Sequence, residues 1–141
     1  MESGQLYAAV GGAAFFERLV ETFYEGVATD PVLLRLYPEA PDLTGARRRL
    51  TLFLIQYWGG PTTYSEERGH PRLRLRHLPF TIGPAERDAW LTHMTRAVEA
   101  VTGALAPEDA VAVRQLLLGY FVPASEQLRN DTGLPISSAR R

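Results

Sequence analysis

The 141-residue chain contains neither cysteine nor lysine. Without cysteine there are no disulfides, thiolate zinc sites, iron–sulfur clusters or haem attached through C-x-x-C-H, so any metal must be held by histidine or carboxylate. Without lysine all fifteen basic residues are arginines, planar forks suited to carboxylates and phosphates, although genome composition is the blander cause. Net charge is also nearly absent, at −1. That argues against a dedicated nucleic-acid binder and leaves only local basic patches, at Arg47, Arg48 and Arg49 and over residues 68–76. No apolar run approaches the ~20 residues of a membrane span. The first residues lack a basic start followed by a long apolar stretch, so a cytoplasmic protein is expected. No G-x-S-x-G occurs, and no serine carries a cue for a neighbouring base, which leaves hydrolase chemistry without support.

What is present is a chain with 45% hydrophobic and 10% aromatic residues, enough to bury one core unaided. A single domain over 1–141 is expected, with residues 1–5 and 130–141 as frayed tails. After Gly11-Gly12, the residues Phe16, Leu19, Val20, Phe23 and Val27 recur at three and four, a helical stripe. Asp30-Pro31 reads as an N-cap and first helical residue of a brief helix that Pro38 and Pro41 halt. Thr44 reads as the cap of a helix whose inward face is Ala46, Leu50, Phe53, Leu54 and Tyr57, ended by Gly59-Gly60-Pro61. Residues 62–69 read as a loop. Gly83-Pro84, with Glu86 placed to reach back, starts a helix carrying Trp90, Leu91, Met94, Ala97, Val98 and Val101 and stopped by Gly103. Pro107-Glu108-Asp109 opens a last helix through Val111, Val113, Leu116, Leu117 and Tyr120, which Pro123 kinks or ends.

Between these lies GHPRLRLRHLPF, residues 69–80. Arginines alternate with Leu73 and Leu75, the period of a half-buried basic strand or a nucleic-acid ribbon. No partner strand is apparent elsewhere, and a lone strand would leave its backbone groups unpaired, so a short helix bounded by Pro71 and Pro79 is the better reading. It carries His77. Taken alone, a histidine there is more often structural than a ligand, and the spacing of His70, His77 and His93 matches no zinc pattern. Tyr24, Tyr37 and Trp90 add weight, because the helical stripes direct their rings inward and buried phenols and indoles need partners. Each is plausible core packing; together they make a donor cluster suited to a ligand in an apolar cavity.

The run YWGGPTTYSEERGHPRLRLRHLPFTIGPAERDAW, residues 57–90, closely resembles the truncated haemoglobins of the second group. The likeness extends from about residue 7 to residue 128, through Gly11-Gly12, Phe23-Tyr24 and Leu36-Tyr37-Pro38. The resemblance implies an all-α truncated globin, a two-over-two helical sandwich around non-covalent haem b. It makes His77 the proximal iron ligand, whose other ring nitrogen must donate to an acceptor. It also implies Tyr37 and Trp90 as donors to the oxygen ligand, with Tyr24 in their network and Ala46 where many globins carry a distal histidine. Leu50 and Phe53 would keep water out, and Leu73, Phe80 and Met94 would touch the porphyrin. Arg49 and Tyr64, with Arg74 or Arg76, are expected at the propionates. The segment Glu39-Ala40-Pro41-Asp42 is slightly longer than is usual in the family, a feature that bears on where Tyr37 sits.

By resemblance, then, the chain is expected to bind dioxygen, and NO and CO, reversibly. The indole and phenol donors would slow oxygen release. The alternative is a haem redox enzyme, oxidising nitric oxide or turning over peroxide. It would need an external reductase, since no flavin or nicotinamide motif is present. A third reading is a cofactor-free helical module whose arginines bind an acidic partner. A homodimer is a family-level expectation that the patterning does not locate.

Overall fold

The structure, a computed structural model, describes residues 2–69, 82–127 and 129. The segment carrying His70, Leu73, Arg74, Arg76, His77 and Phe80 lies outside the described residues, as does the tail from 130 onward. Among the described residues every regular element is helical. A 3₁₀ turn (Ser3–Gln5) leads into α1 (Leu6–Ala9), followed by α2 (Ala13–Val27), α3 (Pro31–Leu34), α4 (Thr44–Tyr57), α5 (Thr63–Arg68), α6 (Pro84–Thr102) and α7 (Pro107–Gln127).

The helix boundaries follow from local chemistry. In α2 the stripe buries Phe16, Leu19, Val20, Phe23 and Val27 as expected, and Phe15 and Tyr24 with them. Asp30 caps α3, its Oδ1 accepting a hydrogen bond from Val32 N at 3.0 Å while Pro31 takes the first helical position, where an N–H would have had no partner. Glu86 closes the start of α6 by accepting from Gly83 N at 2.7 Å, and Gly103 ends that helix. Glu108 and Asp109 sit in the first turn of α7, where negative charge meets the positive end of the helix dipole.

Four expectations need correction. Thr44 does not cap α4; it is the first helical residue, and its N–H donates to Asp42 Oδ1 at 3.0 Å. Residues 62–69 are not all loop, since they include α5, whose Ser65 N and Oγ are both bonded to the Gln56 side chain of α4. Tyr57 does not face inward. It is 47% exposed, and the next residue, Trp58, takes the buried slot at 1%. Finally, Pro123 does not end α7, which runs on to Gln127.

Layering is two over two. α2 and α4 pack together as one layer, α6 and α7 as the other, and α2 against α6 forms the main seam. The core runs along that seam through Phe16, Leu19, Phe23, Met94, Ala97, Val98, Leu117 and Phe121. At the end of α4, Gly59 has φ +100°, and a Cβ there would meet Gly4 O at 2.2 Å. The glycine therefore does more than stop a helix. It seats the N-terminal segment, whose Tyr7 N–H donates to Trp58 O at 3.0 Å.

Candidate functional site

Leucines from α3, the connection after it and α4, with aromatic rings from α2, that same connection, α4, α5, α6 and α7, line a cavity of about 390 Å³. Its size falls in the range of small-molecule sites, roughly 300–1,000 Å³. Leu33, Leu36, Leu50, Phe53, Leu54 and Ile82 give it an apolar lining. Tyr24, Tyr37 and Trp90 line it as well, setting phenol and indole groups beside the apolar wall.

The three rings are held by one another. Phe23 contacts both Tyr24 and Trp90 edge-on, with centroids 5.0 and 5.4 Å apart, and Tyr24 meets Tyr37 at 5.6 Å. Phe121 supports Trp90 from α7 at 5.7 Å. Burial pushes the Tyr24 phenol far above its ordinary value, and the neighbouring Tyr37 and a hydrogen bond to it push it further. Burial also raises Tyr37, against its interaction with Tyr24, which acts the other way. A hydrogen bond between two phenols uses one O–H, so the other stays available for an acceptor in the cavity, and both phenols stay neutral at physiological pH.

Behind the aromatic cluster, His93 of α6 donates from Nε2 to Asp30 Oδ2 at 2.7 Å, tying the α3 cap to α6. This hydrogen bond is the main reason the Asp30 carboxyl sits below its usual range. Gly26 of α2 leaves the room required, since a Cβ there would come within 2.3 Å of His93 Nδ1. The α2–α3–α6 corner fixes the start of the segment that delivers Leu36 and Tyr37. At the cavity's edge Glu86 is 8% exposed and receives Arg35 as well as Gly83 N–H, so its charge is paired.

Of the residues singled out from sequence, Tyr24, Tyr37, Ala46, Arg49, Leu50, Phe53, Tyr64 and Trp90 all line this one cavity. Tyr64 is buried and packs edge-on against Phe53 at 5.5 Å. Met94 is fully buried in the core and is not among the lining residues. His77, Leu73, Arg76 and Phe80 lie outside the described residues. Sequence reasoning missed Arg68, Glu86, Arg87, Tyr120 and Phe121, which also line the cavity. Phe121 was within reach, because it continues the inward stripe one turn beyond Leu117. Glu86 had already been given a local task at the helix start, and its second contact, with Arg35, is 51 residues away in the chain.

The lining suits the group that the resemblance implies. A flat apolar macrocycle needs such a leucine and phenylalanine wall, its carboxylates need cations, and Arg49, Arg68 and Arg87 are among the lining residues, Arg87 in ion pairs with Asp88 and Glu126. The phenol pair and the indole offer donors to a small ligand beside it.

Comparison with known proteins agrees. The family described as bacterial-like globin matches residues 5–117. The group 2 truncated hemoglobin YjbI of Bacillus subtilis is 42% identical over 126 residues, which span 89% of each chain. Among solved structures, the thermostable hemoglobin of the actinobacterium Thermobifida fusca superposes with a TM-score of 0.81 at 55% identity, covering 89% of this chain and 97% of that one. The truncated oxygen-avid haemoglobin of Bacillus subtilis gives 0.76 at 41%, covering 88% and 98%. With a family match over most of its length, relatives at this identity and a two-over-two helical fold, the chain belongs to the bacterial-like globins, as a group II truncated haemoglobin.

Proposed function

We propose that this protein is a cytoplasmic haem protein that binds dioxygen reversibly and releases it slowly, and that it also takes NO and CO. The observation that carries this reading is that Tyr24, Tyr37 and Trp90 line one largely apolar cavity, with the two phenol rings in edge-on contact. Non-covalent haem b, held by His77, supplies the iron at which a diatomic molecule binds. Leu50, Phe53 and Leu54 exclude water from the cavity, which strengthens every hydrogen bond made inside it. Tyr37 and Trp90 donate to the dioxygen ligand, and Tyr24 orients Tyr37. Ala46 leaves the space that a distal histidine would occupy. Arg49 pairs with a haem carboxylate, a reading supported by its place in the cavity lining.

A hydrogen bond to a ligand carrying partial negative charge is worth about 1.5–3 kcal/mol, so two donors slow release by a factor on the order of one hundred or more. Slow release suits sensing, storage or redox chemistry better than bulk delivery. Oxygen avidity in the Bacillus subtilis relative supports the same direction. The test is the visible spectrum of the purified protein. A Soret band that is lost in His77→Gly, and that shifts on adding dioxygen or CO to the reduced protein, is the expected result. A colourless protein that cannot be reconstituted with haem contradicts it.

A further inference from the structure

Tyr37 and Trp90 come from different parts of the chain, and two side-chain bonds hold the segment that carries Tyr37 onto α6, the helix that carries Trp90. At the start of that segment His93 Nε2 lies 2.7 Å from Asp30 Oδ2, and because a carboxylate only accepts, the imidazole is the donor. At its end Arg35 donates to Glu86 Oε2, while Glu86 Oε1 accepts from Gly83 N. On α6, Trp90 stands four residues after Glu86 and three before His93, so the three share one face of the helix. The two struts therefore flank Trp90 on one side and α3 on the other.

Asp30 is joined to Tyr37 by two steps of main-chain hydrogen bonding. Leu34 N donates to Asp30 O at 2.8 Å, and Tyr37 N donates to Leu34 O at 3.1 Å. Asp30 Oδ1 meanwhile accepts from Val32 N. A displacement of Asp30 thus carries the whole turn with it. His93 has a fixed seat, since its ring lies against the α2 backbone at Gly26, where a Cβ would come within 2.3 Å of Nδ1 and 3.0 Å of Cγ. α2 backs the imidazole, the imidazole holds Asp30, and Asp30 begins the turn that ends at Tyr37. The side chains of His93 and Asp30 are 13% and 20% exposed, so their bond is largely shielded from water; Arg35, at 55%, makes the weaker strut.

We propose that His93 is a positioning residue for the oxygen ligand: through Asp30, with Arg35 and Glu86 as a second strut, it sets where the Tyr37 hydroxyl stands relative to the Trp90 indole, and so how slowly oxygen leaves. The inference rests on the haem reading above and adds the residues that keep its two donors in register. His93, Asp30 and Arg35 are not among the residues lining the cavity, so they act through Tyr37 rather than on the ligand. A hydrogen bond weakens steeply as its angle closes, which is why a small shift of Tyr37 changes the release rate without opening the cavity.

The test compares His93→Leu with His93→Gln, whose side-chain amide keeps an N–H for Asp30 at nearly the reach of Nε2. In the haem-loaded protein, oxygen release by stopped flow should quicken about threefold or more in His93→Leu and stay within about twofold of the wild type in His93→Gln. Carbon monoxide carries little negative charge as a ligand, so its release should move by less than about twofold in either variant. In a Tyr37→Phe background His93→Leu should add less than about twofold, because the donor it positions is gone. Arg35→Gln should quicken oxygen release too, by less than His93→Leu does. A further readout needs no haem: amide hydrogen exchange over residues 33–37 should rise about threefold or more in His93→Leu and not in His93→Gln.

Unchanged oxygen release in a folded His93→Leu overturns the proposal, as does equal acceleration in both His93 variants or full additivity with Tyr37→Phe. Should His93→Leu fail to fold, Arg35→Gln reads the same clamp, and an unchanged rate there overturns it. A wild type with no Soret band removes the haem reading; the exchange comparison is still readable in that protein, and unaltered exchange in His93→Leu overturns the positioning separately.

Discussion

Tyr24 and Tyr37 meet edge-on at the cavity wall, and the proposal has the Tyr24 hydroxyl orient that of Tyr37. Tyr24→Phe removes that hydroxyl without removing the ring. At about 0.5–1.5 kcal/mol for a neutral hydrogen bond, oxygen release should quicken several-fold, and less than in Tyr37→Phe. Stopped-flow release rates check the order; equal effects would mean that Tyr24 contacts the ligand itself. Asp30 acts from outside the cavity. Its carboxyl is held below the ordinary value in the folded protein by His93, so its contribution is present at neutral pH and disappears as the pH falls below about 4. Asp30→Ala loses both the cap and this partner and should cost about 1 kcal/mol at pH 7. Thermal unfolding of the two proteins should converge at the acid end, and a constant gap would contradict the assignment. Sequence periodicity revealed Tyr24, Tyr37 and Trp90 because each lies on or beside an apolar stripe. Glu86 and Tyr120 escaped it, since their roles come from contacts with elements far away in the chain.

At the scale of elements, the caps were legible and the short pieces were not. Asp30-Pro31, Gly83-Pro84 with Glu86, and Gly103 act through backbone groups within a few residues, so their chemistry is written locally. Helix α5 has five polar residues around one buried Tyr64, too few for a period to emerge, and it is held by Gln56 of the preceding helix. The end of α4 misled for a related reason. Tyr57 and Trp58 are adjacent, either fits the stripe, and only the packed N-terminal segment decides that Trp58 goes in. That docking depends on Gly59. Gly59→Ala adds a Cβ against Gly4 O at a positive φ, and should cost about 1–3 kcal/mol in chemical denaturation. A loss of only a few tenths would mean that the N-terminal segment contributes little. α7 tolerates Pro123 because the proline gives up one hydrogen bond at the edge of a cavity rather than inside the packed core.

For the molecule as a whole, two helical layers meet along the seam between α2 and α6, and one cavity is lined by Tyr24 of α2, Trp90 of α6 and Tyr37 of the connection after α3. A group that fills it binds only the folded state, so haem removal should lower the melting temperature, and restoring haem should raise it again. The all-arginine composition acquires a local meaning at the rim, where Arg49, Arg68 and Arg87 line the cavity while Arg35 pairs with Glu86. The architecture was legible from the resemblance together with the stripes, whereas the bonds from His93 to Asp30 and from Arg35 to Glu86 have no signature in a linear pattern. The central claim is that donors from the protein hold the oxygen ligand in this cavity. Its most direct test is the oxygen dissociation rate of Trp90→Leu against the wild type by stopped flow. The account predicts release faster by about tenfold or more with the Soret band retained; an unchanged rate in a haem-loaded variant would contradict it.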